Sequence, residues 1–363
     1  MAVLGGDPVF INIPYALSEE TLKFLHGLNI PFLATGLPAP EDIVGWSKLQ
    51  ERVERHTVPE SDQLVERLAP AIAGFSLGGV PVLDVRPRNW KREHKVAIYI
   101  HGGGFTLYSA ASTLYRAALF ADDTALRVIS VDYMLAPLAT FEEITNQVVT
   151  VVQAILNEGY RMPDIIMLGE DSGASVVVAS ILRLRNLALK LPAAALLISP
   201  CVDISATDET DYVHRNQPVS CITEQFRTQA DFLRNPGKRW NVDTAKVYAD
   251  FFNGFPPTLI QGSTQEIWLN RFFRLYHVLD VNGAEVRLDL YEEVPHGFQF
   301  GIPAGAEAQL ARRKMREFAR VQLAQEERPS MPGKSRRAIL EISRVGNNKG
   351  DRTDQVVVPH QDT

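Results

Sequence analysis

Three stretches of this 363-residue chain set reactive side chains among glycines. His101-Gly102-Gly103-Gly104-Phe105 follows the apolar run KVAIYI. IIMLGEDSGAS, residues 165–175, closes another apolar run with two acids, Ser172 and small residues. VPHGF, residues 294–298, sets His296 just past a third. A serine lifted out on a sharp turn, a histidine to take its proton, and N–H groups freed by glycines to meet a developing oxyanion are the parts of nucleophilic acyl chemistry. Centred on Ser172, the turn reads Glu170-Asp171-Ser172-Gly173-Ala174, so both outer glycines of the G-x-S-x-G form are replaced. Between Ser172 and His296, QGSTQEIWLN places Glu266 a short loop beyond PPTLIQG. There it can orient the histidine and stabilise its charged form. Asp280 and Asp289 are the other carboxylates weighed for that role; they sit in helix-like and strand-like text.

These residues must be held by a framework. VPVLDVRP (80–87), KVAIYIH (95–101), RVISVDY (127–133), DIIMLG (164–169), AAALLISP (193–200), PPTLIQG (256–262) and EVRLDLYEE (285–293) carry strand signals. Helical spacing marks 18–28, 59–73, 142–158, 174–188 and 304–327. Strand and helix alternate, which predicts an α/β fold with a mostly parallel central sheet flanked by helices. Ser172, Glu266 and His296 then all fall at the C-terminal edge of the sheet, where such folds keep their ligands.

The alternation breaks over 203–255, which is polar with short helical pieces; a stretch this long is expected to form a lid or cap. Its aromatics, and Phe105 and Tyr108 beside the glycines, are candidates for a substrate pocket. The expected organisation is N-terminal helices that belong to the cap (1–75), a core in two parts (76–202 and 256–327), the cap insertion (203–255) and a mostly disordered tail (328–363), polar and without aromatics. Hydrophobic residues make up 45% of the chain, enough for a large core, and the net charge is −6. No basic stripe suggests nucleic acid. The two cysteines, Cys201 and Cys221, make neither a disulfide framework nor a metal spacing. No run is long and apolar enough to span a membrane, and the N-terminus is a poor signal peptide. The reading is a cytoplasmic protein without metal or cofactor.

Six collinear segments resemble the hormone-sensitive-lipase-type carboxylesterases, the HGGG branch of the α/β-hydrolase fold. They are HGGGF (101–105), VDYMLAP (131–137), GEDSGAS (169–175), SPCVDIS (199–205), PPTLIQGSTQEIWLN (256–270) and VPHGF (294–298). The resemblance runs from about residue 81 to 300. The resemblance implies an α/β-hydrolase fold with a helical cap. It implies Ser172 as nucleophile, His296 as base and Glu266 as acid, with the N–H groups of Gly102, Gly103 and Gly173 as oxyanion hole. The expected activity is hydrolysis of small, fairly apolar carboxylic esters through an acyl-enzyme, with a homodimer allowed by the family's habits. Two other readings use the same residues. One is an acyltransferase, cyclase or lyase-type tailoring enzyme of polyketide-like metabolism; the other is a small-molecule receptor, against which the presence of His296 argues.

Overall fold

The computed structural model describes residues 17–27, 38–39, 42–91, 94–202, 251, 254–324, 339–344 and 352–357. The cap insertion expected at 203–255 lies almost wholly outside these. Of its aromatics Phe251 and Phe255 are described; both are buried in the core, edge-on to each other at 5.1 Å between ring centres.

The strands run in chain order as β1 (Ala71–Leu77), β2 (Val80–Arg86), β3 (Val96–Ile100), β4 (Arg127–Val131), β5 (Ile165–Glu170), β6 (Ala194–Ile198), β7 (Thr258–Ser263), β8 (Val286–Tyr291), β9 (Ile339–Arg344) and β10 (Arg352–Val357). They form one sheet in the order β1-β2-β4-β3-β5-β6-β7-β8-β9-β10. The ladder is parallel from β4 to β9 and antiparallel at both ends, where β1 pairs β2, β2 pairs β4, and β9 pairs β10. The inner strands are buried on both faces, and every residue of β3, β4, β5, β6 and β7 is buried. That is why they read as continuous apolar runs and not as alternating ones.

The longer described helices are α1 (Glu19–Gly27), α2 (Ile43–Leu68), α3 (Leu114–Thr124), α4 (Phe141–Asn157), α5 (Ser172–Asn186), α6 (Leu269–Val281) and α7 (Ala306–Leu323). One face of the sheet packs α4, α5 and α6; the other packs α3 and α7. α4 begins with a reciprocal capping box, in which Thr140 Oγ accepts from Glu143 N–H and the Glu143 carboxylate accepts from Thr140 N–H.

Two expectations are corrected here. The helix expected at 59–73 is the second half of α2, which starts at Ile43 and runs through Pro59. A proline removes one N–H, and the helix carries that loss because Trp46, Leu49, Val53 and Val65 bury along one face. It ends at Ala69 in the left-handed region before Pro70, so residues 71–73 open β1 instead. The tail expected to be disordered supplies β9 and β10. AILEIS alternates, and on β9 the buried Glu341 receives Arg287 Nη2 at 2.7 Å and the Lys314 ammonium. Composition alone hid a strand whose inward charge is paired.

Candidate active site

The site is built on five loops that leave the C-terminal ends of adjacent parallel strands: β3, β5, β6, β7 and β8. The elbow after β5 is the tightest of them. Asp171 takes φ 49°, ψ −123°, a strained conformation for a residue with a side chain, and α5 starts at the next residue. The apex is therefore Asp171, one place before the expected Ser172. The glycines confirm that register. A Cβ on Gly169 would stand 2.6 Å from Gly173 O, and a Cβ on Gly173 would stand 2.3 Å from Ile100 O. Strand and helix pass too closely for side chains at these two positions. They lie two residues before and two after Asp171, so the turn is Gly169-Glu170-Asp171-Ser172-Gly173. Both glycines that seem to be missing around Ser172 are present when the pattern is read one residue earlier.

Ser172 is the first residue of α5 and is fully buried. Its Oγ accepts from Phe105 N–H at 3.2 Å. The Asp171 carboxylate takes the place expected for a substrate oxyanion. Oδ2 accepts from Gly103 N–H at 3.0 Å and from Gly104 N–H at 3.2 Å. The converging glycine donors are thus Gly103 and Gly104, where Gly102 and Gly103 were expected. Gly102 is needed for space, since a Cβ there would meet Asp171 Cβ at 2.9 Å. Gly173, expected as a donor beside a nucleophilic serine, has the close-approach role described above.

The glycine loop is pinned from three sides. Tyr133 Oη donates to His101 O at 2.8 Å, and the two rings stack at 4.2 Å. Burial pushes the His101 imidazole below its usual value, which favours the neutral form. Gln50 of α2 donates to Thr106 O at 2.9 Å and Ala136 O at 3.1 Å, tying the loop to the N-terminal segment. Phe105 is buried against Phe141, in the core, while the half-buried Tyr108 lies over Gly103. Of the two pocket candidates, Tyr108 is the one beside the donors.

The histidine and its acid meet as expected. His296 Nδ1 lies 2.6 Å from Glu266 Oε2. A carboxylate can only accept, so Nδ1 carries the proton and Nε2 is the basic nitrogen. Glu266 is itself buried and fixed: Oε1 accepts from Ser263 N–H and from Ser199 Oγ, both at 2.8 Å. Ser199, just past β6 with φ 46°, also accepts from Gly297 N–H at 3.4 Å. This serine was missed in the sequence, where SPCVDIS offers only a resemblance. Burial opposes a charged His296. The charge of Glu266 and its hydrogen bond, with help from Asp171 and Glu170, outweigh that and raise the imidazole to about 9. The rival acids serve elsewhere. Asp289 accepts from Arg287 Nε at 2.6 Å within β8, and Asp280 lies on α6.

Glu170 does not push α5 away. Its buried carboxylate turns inward, and Oε1 accepts from Tyr99 Oη and from Arg116 Nη1, both at 2.5 Å. Glu170→Gly is therefore expected to destabilise the chain. It strips a charge-assisted partner from Arg116 and orphans a buried hydroxyl, at a cost of about 2 kcal/mol. A urea titration reads this as a lower midpoint at unchanged slope.

Among the described residues no group of His, Cys, Asp and Glu could hold a metal, and no helix is long and apolar enough to cross a membrane. The sequence profile of the alpha/beta hydrolase fold matches residues 97–300. An esterase of Acinetobacter venetianus is 29% identical over 267 residues, covering 72% of this chain and 87% of that one. An acetyl-hydrolase of Streptomyces hygroscopicus is 24% identical over 228 residues, covering 62% and 75%. Among solved structures, one esterase superposes with a TM-score of 0.77 at 22% identity, covering 88% of this chain and 98% of its own. An esterase from the bacterial hormone-sensitive lipase family gives 0.65 at 24%, covering 82% and 100%.

Proposed function

Because the chain belongs to the alpha/beta-hydrolase-fold family, we propose that it is an ester hydrolase acting on small, fairly apolar carboxylic esters through a covalent intermediate on the elbow. The observation that carries this is the His296–Glu266 pair, held at 2.6 Å on the same sheet edge as the Gly103 and Gly104 N–H groups. His296 Nε2 takes a proton from the water that cleaves the covalent intermediate and returns it to the oxygen released as that intermediate breaks. Glu266 holds the ring in the tautomer that leaves Nε2 free and stabilises the imidazolium. The glycine N–H groups meet the oxyanion of the tetrahedral intermediate; one such donor is worth about 3–4 kcal/mol in the transition state. The curated relatives reported above, an esterase and an acetyl-hydrolase, support this class of reaction. The net charge of −6 and the lack of a basic stripe fit a small-molecule substrate in the cytoplasm.

Acid release from short alkyl esters such as ethyl butyrate, followed by pH-stat, tests the proposal. Turnover that saturates with substrate and vanishes in His296→Gln is the expected result. A purified, folded protein that releases no acid from any short alkyl ester would overturn it.

A further inference from the structure

The apex of the elbow is a carboxylate, and its two oxygens have different surroundings. Asp171 is 3% exposed. Oδ2 is held by two converging N–H donors from the glycine loop. Oδ1 is buried and has no hydrogen-bond partner among the described residues. An unpaired carboxylate oxygen in such a place costs free energy, which native structures pay at sites that do chemistry. Resting on the hydrolase reading above, we propose that Asp171 Oδ1 is the nucleophile, and that it attacks a saturated carbon bearing a leaving group that departs as an anion.

The geometry favours an alkyl over an acyl electrophile. In acyl transfer to a hydroxyl, the glycine donors must be open to the substrate carbonyl oxygen. Here Asp171 Oδ2 already occupies them. Attack of Oδ1 on a primary carbon breaks the bond from that carbon to the leaving group, which takes the electron pair. It leaves an ester of Asp171 whose carbonyl oxygen is Oδ2, already seated on Gly103 and Gly104. Water, deprotonated by His296, then adds to Asp171 Cγ, and the oxyanion forms on Oδ2. Collapse breaks the bond from Cγ to Oδ1, and the imidazolium returns its proton to the departing alkoxide. The alcohol carries away the old Oδ1, and Asp171 regains an oxygen from water. The sum is RX + H2O → ROH + HX. Where X is a carboxylate, this is ester hydrolysis with cleavage on the alkyl side.

Ser172 does not contribute its hydroxyl to these steps; Oγ lies buried at the helix start, where it accepts from Phe105 N–H. Glu170 is excluded by its buried pairing with Arg116 and Tyr99. Asp171 sits at the apex of the elbow, and its Oδ1 is buried without a hydrogen-bond partner among the described residues.

His296→Gln should stall the second step and trap the first. Incubated with 1-bromobutane, this variant is expected to gain one butyl group per chain, located on Asp171 by peptide mass spectrometry and absent in the double variant that also carries Asp171→Asn. Wild type turning over ethyl butyrate in 18O-enriched water is expected to acquire one heavy oxygen in the Asp171 carboxylate while the released butyrate stays unlabelled. No butyl group on Asp171 overturns the proposal, whatever happens with esters. So does label in the butyrate with none in Asp171, an outcome that leaves the ester-hydrolase reading standing. A butyl adduct on Asp171 without turnover of any ester supports the proposal and removes that reading instead.

Discussion

Replacing His296 by glutamine is expected to lower kcat/KM for ester hydrolysis by about 10²–10⁴-fold, the range for removal of a positioned general base. Glutamine can still donate an amide N–H toward Glu266, so the buried carboxylate keeps a partner and the fold should survive. What is lost is a basic nitrogen. The pH profile tests the same residue without changing it. With the imidazole raised to about 9, the neutral base is scarce at neutral pH. The rate constant of wild type should therefore climb through the neutral range and level off above about 9. In Glu266→Gln the main source of that rise is gone, and the climbing limb should move down toward the ordinary histidine value of 6.5, with a lower plateau. The sign for stability is opposite in direction to that for activity. A raised folded-state value means that the His296–Glu266 pair stabilises the fold fully below 6.5 and loses this contribution as pH rises through about 9. A wild-type profile that is flat from pH 6 to 9 would contradict the base assignment.

Gly173→Ala is expected to abolish most activity and weaken the fold, although it adds one methyl. The new Cβ would stand 2.3 Å from Ile100 O and 2.4 Å from His101 O. Both are backbone atoms, and neither can retreat cheaply. Ile100 is locked between Val131 of β4 and Gly169 of β5, and His101 opens the glycine loop. The strain must move either α5 or the donors, and a shift of about 1 Å at a reacting centre costs about 100-fold in rate. Overpacking of this kind costs about 1–3 kcal/mol. Gly283→Ala provides the contrast. Gly283 has a left-handed φ, 75°, which Gly173 does not, and nothing lies within 4 Å of the added carbon. It should cost only the backbone preference, about 1–2 kcal/mol, with turnover unchanged. Urea titration and initial rates on the two variants separate a steric elbow from general glycine strain. Equal losses of activity in both would refute the close-approach argument.

The inner strands were legible because burial on both faces leaves its mark as uninterrupted apolar text, as in VAIYI and AALLI. The edges were not. β1 is exposed along most of its length, and β9 and β10 sit in polar text, so neither composition nor an apolar run announces them. The start of α2 was not legible either: helical spacing marks only its second half, although the helix begins at Ile43 and runs through Pro59.

At the site, the sequence by itself determined the partners that sit on separate loops. His296 and Glu266 could be chosen because each follows a recognisable strand, and parallel strands bring their C-terminal ends to one edge whatever lies between. Spacing could not decide the register inside a single loop. GEDSGAS admits an apex at Ser172 or at Asp171, and both readings leave the same residues next to one another. Only the tertiary structure chooses, because the apex is fixed by where two backbones come too close for a Cβ, at Gly169 against α5 and at Gly173 against β3. The same holds for the fate of Glu170. Its neighbours in the chain suggest a clash, whereas Tyr99 and Arg116, 71 and 54 residues away, turn it into a buried anchor. Contacts between segments so far apart are a property of the packed sheet and not of the local string. Here they decide which oxygen at the elbow is left free to react.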